Sequence, residues 1–523
     1  MKPARATNAR WMRALALGPM TLVAAAAHAQ VWTHEASVQT QALVTDNSRP
    51  GSAQGRTADL VMAVRPGLRL SAVGSSLRLA VDAGVGLVDS ARGTVDGSVQ
   101  PRVDASVSAT LVPRLLSVEG TVGVHQVEAD PFGSRVVDVS TTNRRTAAEY
   151  RLAPTLRWEF APRFEAFARH EESLHTNASL SAASGQAPRG ADLRGHHTTL
   201  RLERQPVPLG AALELDRDDS RTEGEGIDQQ VTLDTVRGQL SYAIVDADLV
   251  LGVVAGHERG TVSNVDVSDT VRGLTLHWAP SARTDVTGRI ERRFFSTGGE
   301  LSIGFRTPRS SLSLRAHRGP STTSSAVGAA TRASDFGTQA AAMVGARSPQ
   351  ANIAGGLPAT QAAEEALGRR GMMIGLPQVM DLATRYPQLE SGANARLLLL
   401  GVRHIVTLDA HVRTLRRLPG LDAASSIVAD GDSRQIGGAA SLTRRLTATR
   451  SADVTLSASR VQGLAARAGD RTDEGDVRVS LIDQLAPRTT LATTLRYGRL
   501  RSNVAGVASS ETTSLLLSLN HRF

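Results

Sequence analysis

The sequence is built from short runs in which apolar and polar residues alternate with a period of two. Residues 36–44 place Val38, Ala42 and Val44 on one side of the pattern. Residues 77–87 show the same alternation, with six apolar or small residues at every second position. Successive side chains of a β-strand point to opposite faces, so each run predicts a strand with one apolar and one polar face. A chain patterned in this way has to form sheets whose two faces meet different surroundings.

Similar runs follow one another along most of the chain, and no helical period separates them up to residue 318. Runs of about nine to eleven residues suit a tilted strand that crosses a bilayer. We count about 18 to 22 of them, which lies within the range of single-chain outer-membrane barrels. The sequence therefore predicts an all-β fold, a single large antiparallel transmembrane β-barrel.

The carboxyl terminus provides a closing strand for such a barrel. A final strand that ends on phenylalanine with this alternation resembles the closing strand and assembly signal of bacterial outer-membrane β-barrels. A closed barrel requires this strand to pair with the first one, residues 36–44. The resemblance implies that the barrel-assembly machinery is a partner. An edge strand of a soluble sandwich is the alternative. The assembly-signal positions on the apolar face are Leu515, Leu517, Leu519, His521 and Phe523.

The amino terminus predicts export from the cytoplasm. Basic residues up to Arg13 precede a short apolar stretch that ends in the small residues Ala27 and Ala29 around His28. This arrangement is typical of a signal peptide, residues 1–29, cleaved before Gln30. A retained helical anchor is disfavoured because the stretch contains Gly18-Pro19 and is shorter than the ~20 residues that a spanning helix needs. Residues 30–523 then form the barrel, in the outer membrane of a Gram-negative bacterium.

Composition excludes several kinds of site and partner. The chain has no cysteine, which excludes disulfides, thiolate metal sites and cysteine nucleophiles. A mean hydropathy of −0.14 is what alternating strands give on average. The net charge of +9 comes from arginine, since Lys2 is the only lysine. These arginines are spread along the chain without interleaved aromatic residues, so we expect no nucleic-acid partner. They suit a charged lumen, or contacts with outer-membrane lipid and the phosphates of lipopolysaccharide.

The alternation breaks between residues 319 and 391. Two short segments, 361–368 and 375–383, have the composition of short helices. We expect a partly helical insert here, which could be a plug in the lumen, a periplasmic arm, an extracellular cap or a plain loop.

Candidate chemistry is sparse, and we expect no catalytic residue, no cofactor and no metal site. The pair His196-His197 and the run 170–172 contain metal-ligating residue types, but adjacent side chains on a strand point to opposite faces. A hydrolase is a third alternative; it would combine a serine with a histidine from another strand, such as His125, His257, His404 or His411. Charged residues on the polar faces predict a hydrated lumen of mixed charge. The positions we expect to face the lumen are Arg78, Asp82, Glu119, Glu149, Arg151, Arg157, Glu159, Arg289 and Glu291.

Three stretches of the chain are similar to a known family. Residues 45–47 followed by 58–71, then 143–160, and residues 401–408 after the insert, resemble the PEP-CTERM (exosortase) system-associated outer-membrane β-barrel proteins. Membership implies a role in exporting or anchoring surface polymer, with exopolysaccharide or its export apparatus as partner. A general diffusion porin or solute channel is the main alternative.

Overall fold

The computed structural model describes residues 31–52, 55–94, 98–128, 132–134, 144–178, 191–224, 227–244, 248–262, 264–321, 388–418 and 432–523. In this part of the chain one short 3-10 turn lies at Ala465–Arg467, and no helix there is long and apolar enough to cross a membrane. The described residues form 22 strands. They are β1 Val31–Thr45, β2 Asp59–Val73, β3 Leu77–Ser90, β4 Ser98–Val112, β5 Leu116–Glu128, β6 Arg144–Ala161, β7 Phe164–Ala178, β8 Ala191–Arg204, β9 Leu209–Gly224, β10 Ile227–Ile244, β11 Leu249–Val262, β12 Val265–Ser281, β13 Thr284–Arg293, β14 Ser296–Arg306, β15 Ser310–Ser321, β16 Gln388–Leu400, β17 His404–Arg417, β18 Ser433–Arg445, β19 Arg450–Gly463, β20 Arg471–Ala486, β21 Thr489–Ser502 and β22 Ser510–Arg522.

The strands form one closed antiparallel barrel. Each pairs with its neighbours in sequence, and β1 pairs with both β2 and β22. The closing register runs from Ser37 opposite Arg522 to Thr45 opposite Ser514. The prediction of a single large antiparallel barrel, and of the partner for its last strand, is confirmed. The strands are longer than expected, at 10 to 18 residues, because pairing continues beyond the length needed to cross a bilayer.

The two ends of the barrel differ in the length of their connections. At one end, here the short-turn rim, ten connections have two to four residues each. At the other end, the long-loop rim, eleven connections range from two residues to the 66 between β15 and β16. The first residue of β1, Val31, and the last residue of β22, Arg522, both lie at the short-turn rim. Tight periplasmic turns and longer external loops are typical of outer-membrane barrels.

Residues at both ends of the expected insert, 319–391, belong to strands instead. Strand β15 runs to Ser321, which pairs with Gln388 at the start of β16, so residues 319–321 and 388–391 belong to the wall. Residues 322–387 lie outside the described residues, as does the expected signal peptide. The helices and the plug, arm or loop therefore stay predictions.

The outer face of the wall is apolar. Outward positions along the strands carry large exposed aliphatic side chains such as Leu240, Val253 and Leu274. Aromatic rings collect near the short-turn rim, where Trp158, Phe160 and Phe164 pack with centroids 5.4 and 5.8 Å apart. Aromatic side chains are favoured at the interface between lipid and water. The wall therefore has the two-faced construction that a bilayer requires.

Candidate functional site

The inner face of the barrel carries charged side chains in opposing pairs. Asp82 accepts a hydrogen bond from Arg69 at 2.9 Å, and Glu119 lies 3.3 Å from an Arg169 nitrogen. Neighbouring outward residues, such as Val85 and Leu87 on β3, are exposed on the opposite face. Asp82 and Glu119 therefore line the lumen.

Five of the other residues expected in the lumen lie on β3 and β6, and the last two, Arg289 and Glu291, lie on β13. Arg151 lies 3.8 Å from Glu171, and Arg157 lies 3.1 Å from Glu165. The remaining three are placed on the same face by strand alternation. They are Arg78 next to the turn between β2 and β3, Glu149 opposite Gly123, and Glu159 opposite Glu165.

A denser group, here the lumen charge cluster, joins β9, β10 and β13. It comprises Glu214, Asp216, Arg237, Arg289 and Glu291. Arg237 donates to Glu214 at 3.1 Å and to Asp216, and its Nε lies 3.3 Å from Glu291. Arg289 donates to Glu214 at 3.2 Å. The Arg237 side chain is 9% exposed and that of Glu291 is 4% exposed. These charges are stabilised by one another more than by water.

The cluster continues through a histidine on β8. The Nδ1 atom of His197 lies 2.6 Å from an Asp218 oxygen, and its Nε2 atom lies 3.0 Å from the hydroxyl of Thr199. Thr199 in turn donates to Asp216 at 2.8 Å. The connected groups fix the side chains of three neighbouring strands in one arrangement.

A second charged region lies across β15 to β17. Glu390 accepts hydrogen bonds from Arg413 at 3.2 Å, and its other oxygen lies 3.1 Å from His317. Asp409 accepts from Arg396 at 2.8 Å and from Asn394 at 3.3 Å. Fixed guanidinium and carboxylate groups of both signs can exchange hydrogen bonds with hydroxyl-rich or charged solutes.

The long-loop rim carries an apolar contact between the connection after β5 and a distant part of the barrel. Phe132, in the connection after β5, is fully buried against Val461 and Val504. The guanidinium of Arg467 lies 4.0 Å from the centre of the Phe132 ring. The hydroxyl of Thr472 on β20 donates to the Phe132 carbonyl at 3.1 Å. Thr472 and Val461 lie on the inner face, so residues 132–134, here the mouth segment, lie against the inside of the rim.

The sequence indicated the kind of lumen and part of the lumen charge cluster. Seven of the nine expected charges lie on β3, β5 and β6, and the other two, Arg289 and Glu291, belong to the cluster. The sequence did not single out Glu214, Asp216 and Arg237, which lie on β9 and β10. The spacing of residues 214 and 216 places both acids on one face. Only the register, which sets Arg237 opposite Glu214, shows that they share a cation.

Comparisons with known proteins found likeness in structure alone. No protein-family model and no curated protein matches the chain. Among solved structures, the siderophore receptor PirA from Pseudomonas aeruginosa is 10% identical, with a TM-score of 0.44 over 94% of this chain and 80% of that chain. The FrpB iron transporter from Neisseria meningitidis is 8% identical, with a TM-score of 0.48 over 94% of this chain and 82% of that chain. A mutant of the ferric enterobactin receptor of Pseudomonas aeruginosa is 10% identical, with a TM-score of 0.45 over 94% and 80%.

Proposed function

We propose that this chain is a non-enzymatic outer-membrane β-barrel that supports passage of a hydrophilic surface polymer. The observation that carries the proposal is the closed wall, with an apolar outer face and a charged inner face. Such a wall hides its backbone polar groups from lipid while it keeps a water-filled interior. The resemblance to PEP-CTERM-associated barrels supports exopolysaccharide, or a protein sorted by the exosortase system, as the substrate.

The long-loop rim supports a restricted passage over a permanently open one. The mouth segment packs Phe132 on the inner wall, and the guanidinium of Arg467 holds its ring. A general diffusion porin remains the alternative function, because a mixed-charge lumen also admits small solutes. A barrel hydrolase is the third candidate.

Outward-facing arginines at the same rim support contact with lipopolysaccharide. Arg460 and Arg471 both donate to Asp473, at 2.5 and 2.8 Å, and Arg499 lies 3.3 Å from Glu511. With Arg501 these arginines line a groove of about 620 Å³ on the wall. Guanidinium groups bind phosphate with paired hydrogen bonds. We include lipopolysaccharide and the barrel-assembly machinery as partners in the proposal.

Two measurements test this function. In the native host, deletion of the gene should abolish surface polymer while uptake of small solutes stays normal, and re-expression of the full chain should restore it. Normal polymer in the deletion strain would contradict the export role. Labelling of the purified protein by a serine-hydrolase probe would favour the hydrolase.

Planar-bilayer recording separates a restricted barrel from an open porin. The full chain should show little steady conductance, and removal of residues 322–387 should raise it if that segment is a plug. Large, steady conductance in the full chain would favour the diffusion porin. Equal, low conductance in both proteins would exclude the plug and leave an arm or a loop.

A further inference from the structure

Three metal-ligating side chains meet on the outer face of the wall, between β7 and β8. His170 and Glu172 are two residues apart on β7 and therefore share a face. The register sets His196 of β8 opposite Glu172, which brings it to the same face. The ligand atoms of the three side chains all lie within 4.8 Å of one another.

Two of the three distances between these atoms are a few tenths of an ångström longer than in a coordination shell. The Nε2 atom of His170 lies 3.7 Å from Oε1 of Glu172, and Nδ1 of His196 lies 3.9 Å from the same oxygen. Donors about 2.0 to 2.2 Å from a tetrahedral zinc ion lie about 3.3 to 3.6 Å from each other. The three side chains are 44 to 54% exposed, so small rotations of unpacked groups can close the difference.

A contact with the hydroxyl of Thr198 orients the ring of His170 for this role. Its Nδ1 atom lies 2.8 Å from the hydroxyl of Thr198, its partner residue on β8. When Nδ1–H donates to that hydroxyl, Nε2 keeps its lone pair and faces Glu172. Histidine ligands usually engage their other nitrogen in this way. His197, the next residue after His196, points into the lumen with both nitrogens in hydrogen-bond contacts.

The position of the three side chains gives them access to water. On the outer face of β8 and β9, the exposed residues Leu202 and Leu213 lie toward the short-turn rim. Toward the long-loop rim the same face carries Arg194, Arg217 and Asp219. Asp219 lies opposite His196 and places another carboxylate beside the three side chains. The group therefore lies where the apolar outer surface gives way to a charged one.

We propose that His170, Glu172 and His196 form a binding site for a divalent transition-metal ion, with Zn²⁺ as the ligand. Two imidazole nitrogens and one carboxylate oxygen are a ligand set of zinc sites that keep an open position. Imidazole ligands favour Zn²⁺ over Mg²⁺ and Ca²⁺, which prefer oxygen. The open position faces away from the barrel wall and takes water or an anionic oxygen.

Calorimetric titration of the full chain with Zn²⁺ tests the site. The protein is folded in detergent and carries no polyhistidine tag. We expect one Zn²⁺ per chain, and a loss of affinity on the order of 10- to 100-fold or more in His196→Ala and Glu172→Gln. Thr198→Val should weaken binding by about 10-fold, because it removes only the contact that orients His170. Excess Mg²⁺ should not compete.

The matched control is His257→Ala. His257 is also exposed on the outer face, where its Nε2 atom lies 3.2 Å from the hydroxyl of Ser268, and it belongs to no such group among the described residues. The affinity of the His257→Ala variant for Zn²⁺ should equal that of the unaltered chain. Heat-modifiable electrophoretic mobility shows that each variant is folded. The proposal is overturned if the unaltered chain does not bind Zn²⁺ at micromolar concentration, or if His196→Ala binds it equally well.

Discussion

Replacing Arg237 by methionine should destabilise the barrel strongly. Its guanidinium contacts Glu214, Asp216 and Glu291, whose side chains are 13, 14 and 4% exposed. Methionine keeps the aliphatic packing of arginine but removes the cation that all three carboxylates contact. Glu214 and Glu291 keep their contacts with Arg289, at 3.2 and 3.9 Å, whereas Asp216 loses the guanidinium that it accepts from. Removing one partner of a buried ion pair costs about 3 to 5 kcal/mol, and water screens this group little. We expect a loss of that size in the free energy of unfolding.

Urea-induced unfolding of the barrel in lipid vesicles, followed by tryptophan fluorescence, measures the loss. Arg102→Met is the matched control on the same inner face, since Arg102 lies 3.0 Å from Asp104 but the two side chains are 69 and 45% exposed. An exposed pair contributes about 0 to 1 kcal/mol. Adding Glu214→Gln to Arg237→Met should recover part of the loss. A difference of less than about 1 kcal/mol between Arg237→Met and Arg102→Met would show that burial adds nothing to the ion pairs of Arg237.

Three other changes test the closure, the mouth and the outer face. Deleting Phe523, whose amide donates to the Ala36 carbonyl at 2.9 Å across the closing seam, should leave unassembled protein in the periplasm; normal heat-modifiable barrel would contradict this. Phe132→Ala should raise single-channel conductance by releasing the mouth segment, while Phe167→Ala, on the inner face away from that rim, should not. Leu274→Arg should cost about 2 to 4 kcal/mol in vesicle unfolding and Ser268→Arg about 0 to 1, because an arginine costs most near the middle of the bilayer. Equal costs would place Leu274 outside the lipid-facing band.

The sequence alone determined the fold class and the closure of the barrel. Period-two alternation is a local property, because each side chain's face follows from its position along its own strand. The pairing of Leu517 with Ala42 could be expected for the same reason, since the first and last strands of a closed barrel must meet. The inner-face placement of Asp82 and Glu119 also follows from this alternation.

Only the tertiary structure decided which side chains share a site. Arg237 meets Glu214, and His196 meets Glu172, through registers between strands. A shift of two residues in either register would keep every side chain on its own face but separate these partners, and alternation within each strand does not exclude that shift. The mouth segment depends on a contact between β20 and a connection that is distant in sequence. Local pattern therefore gives the wall of this protein, and long-range pairing gives its charged cluster and its metal-ligating group.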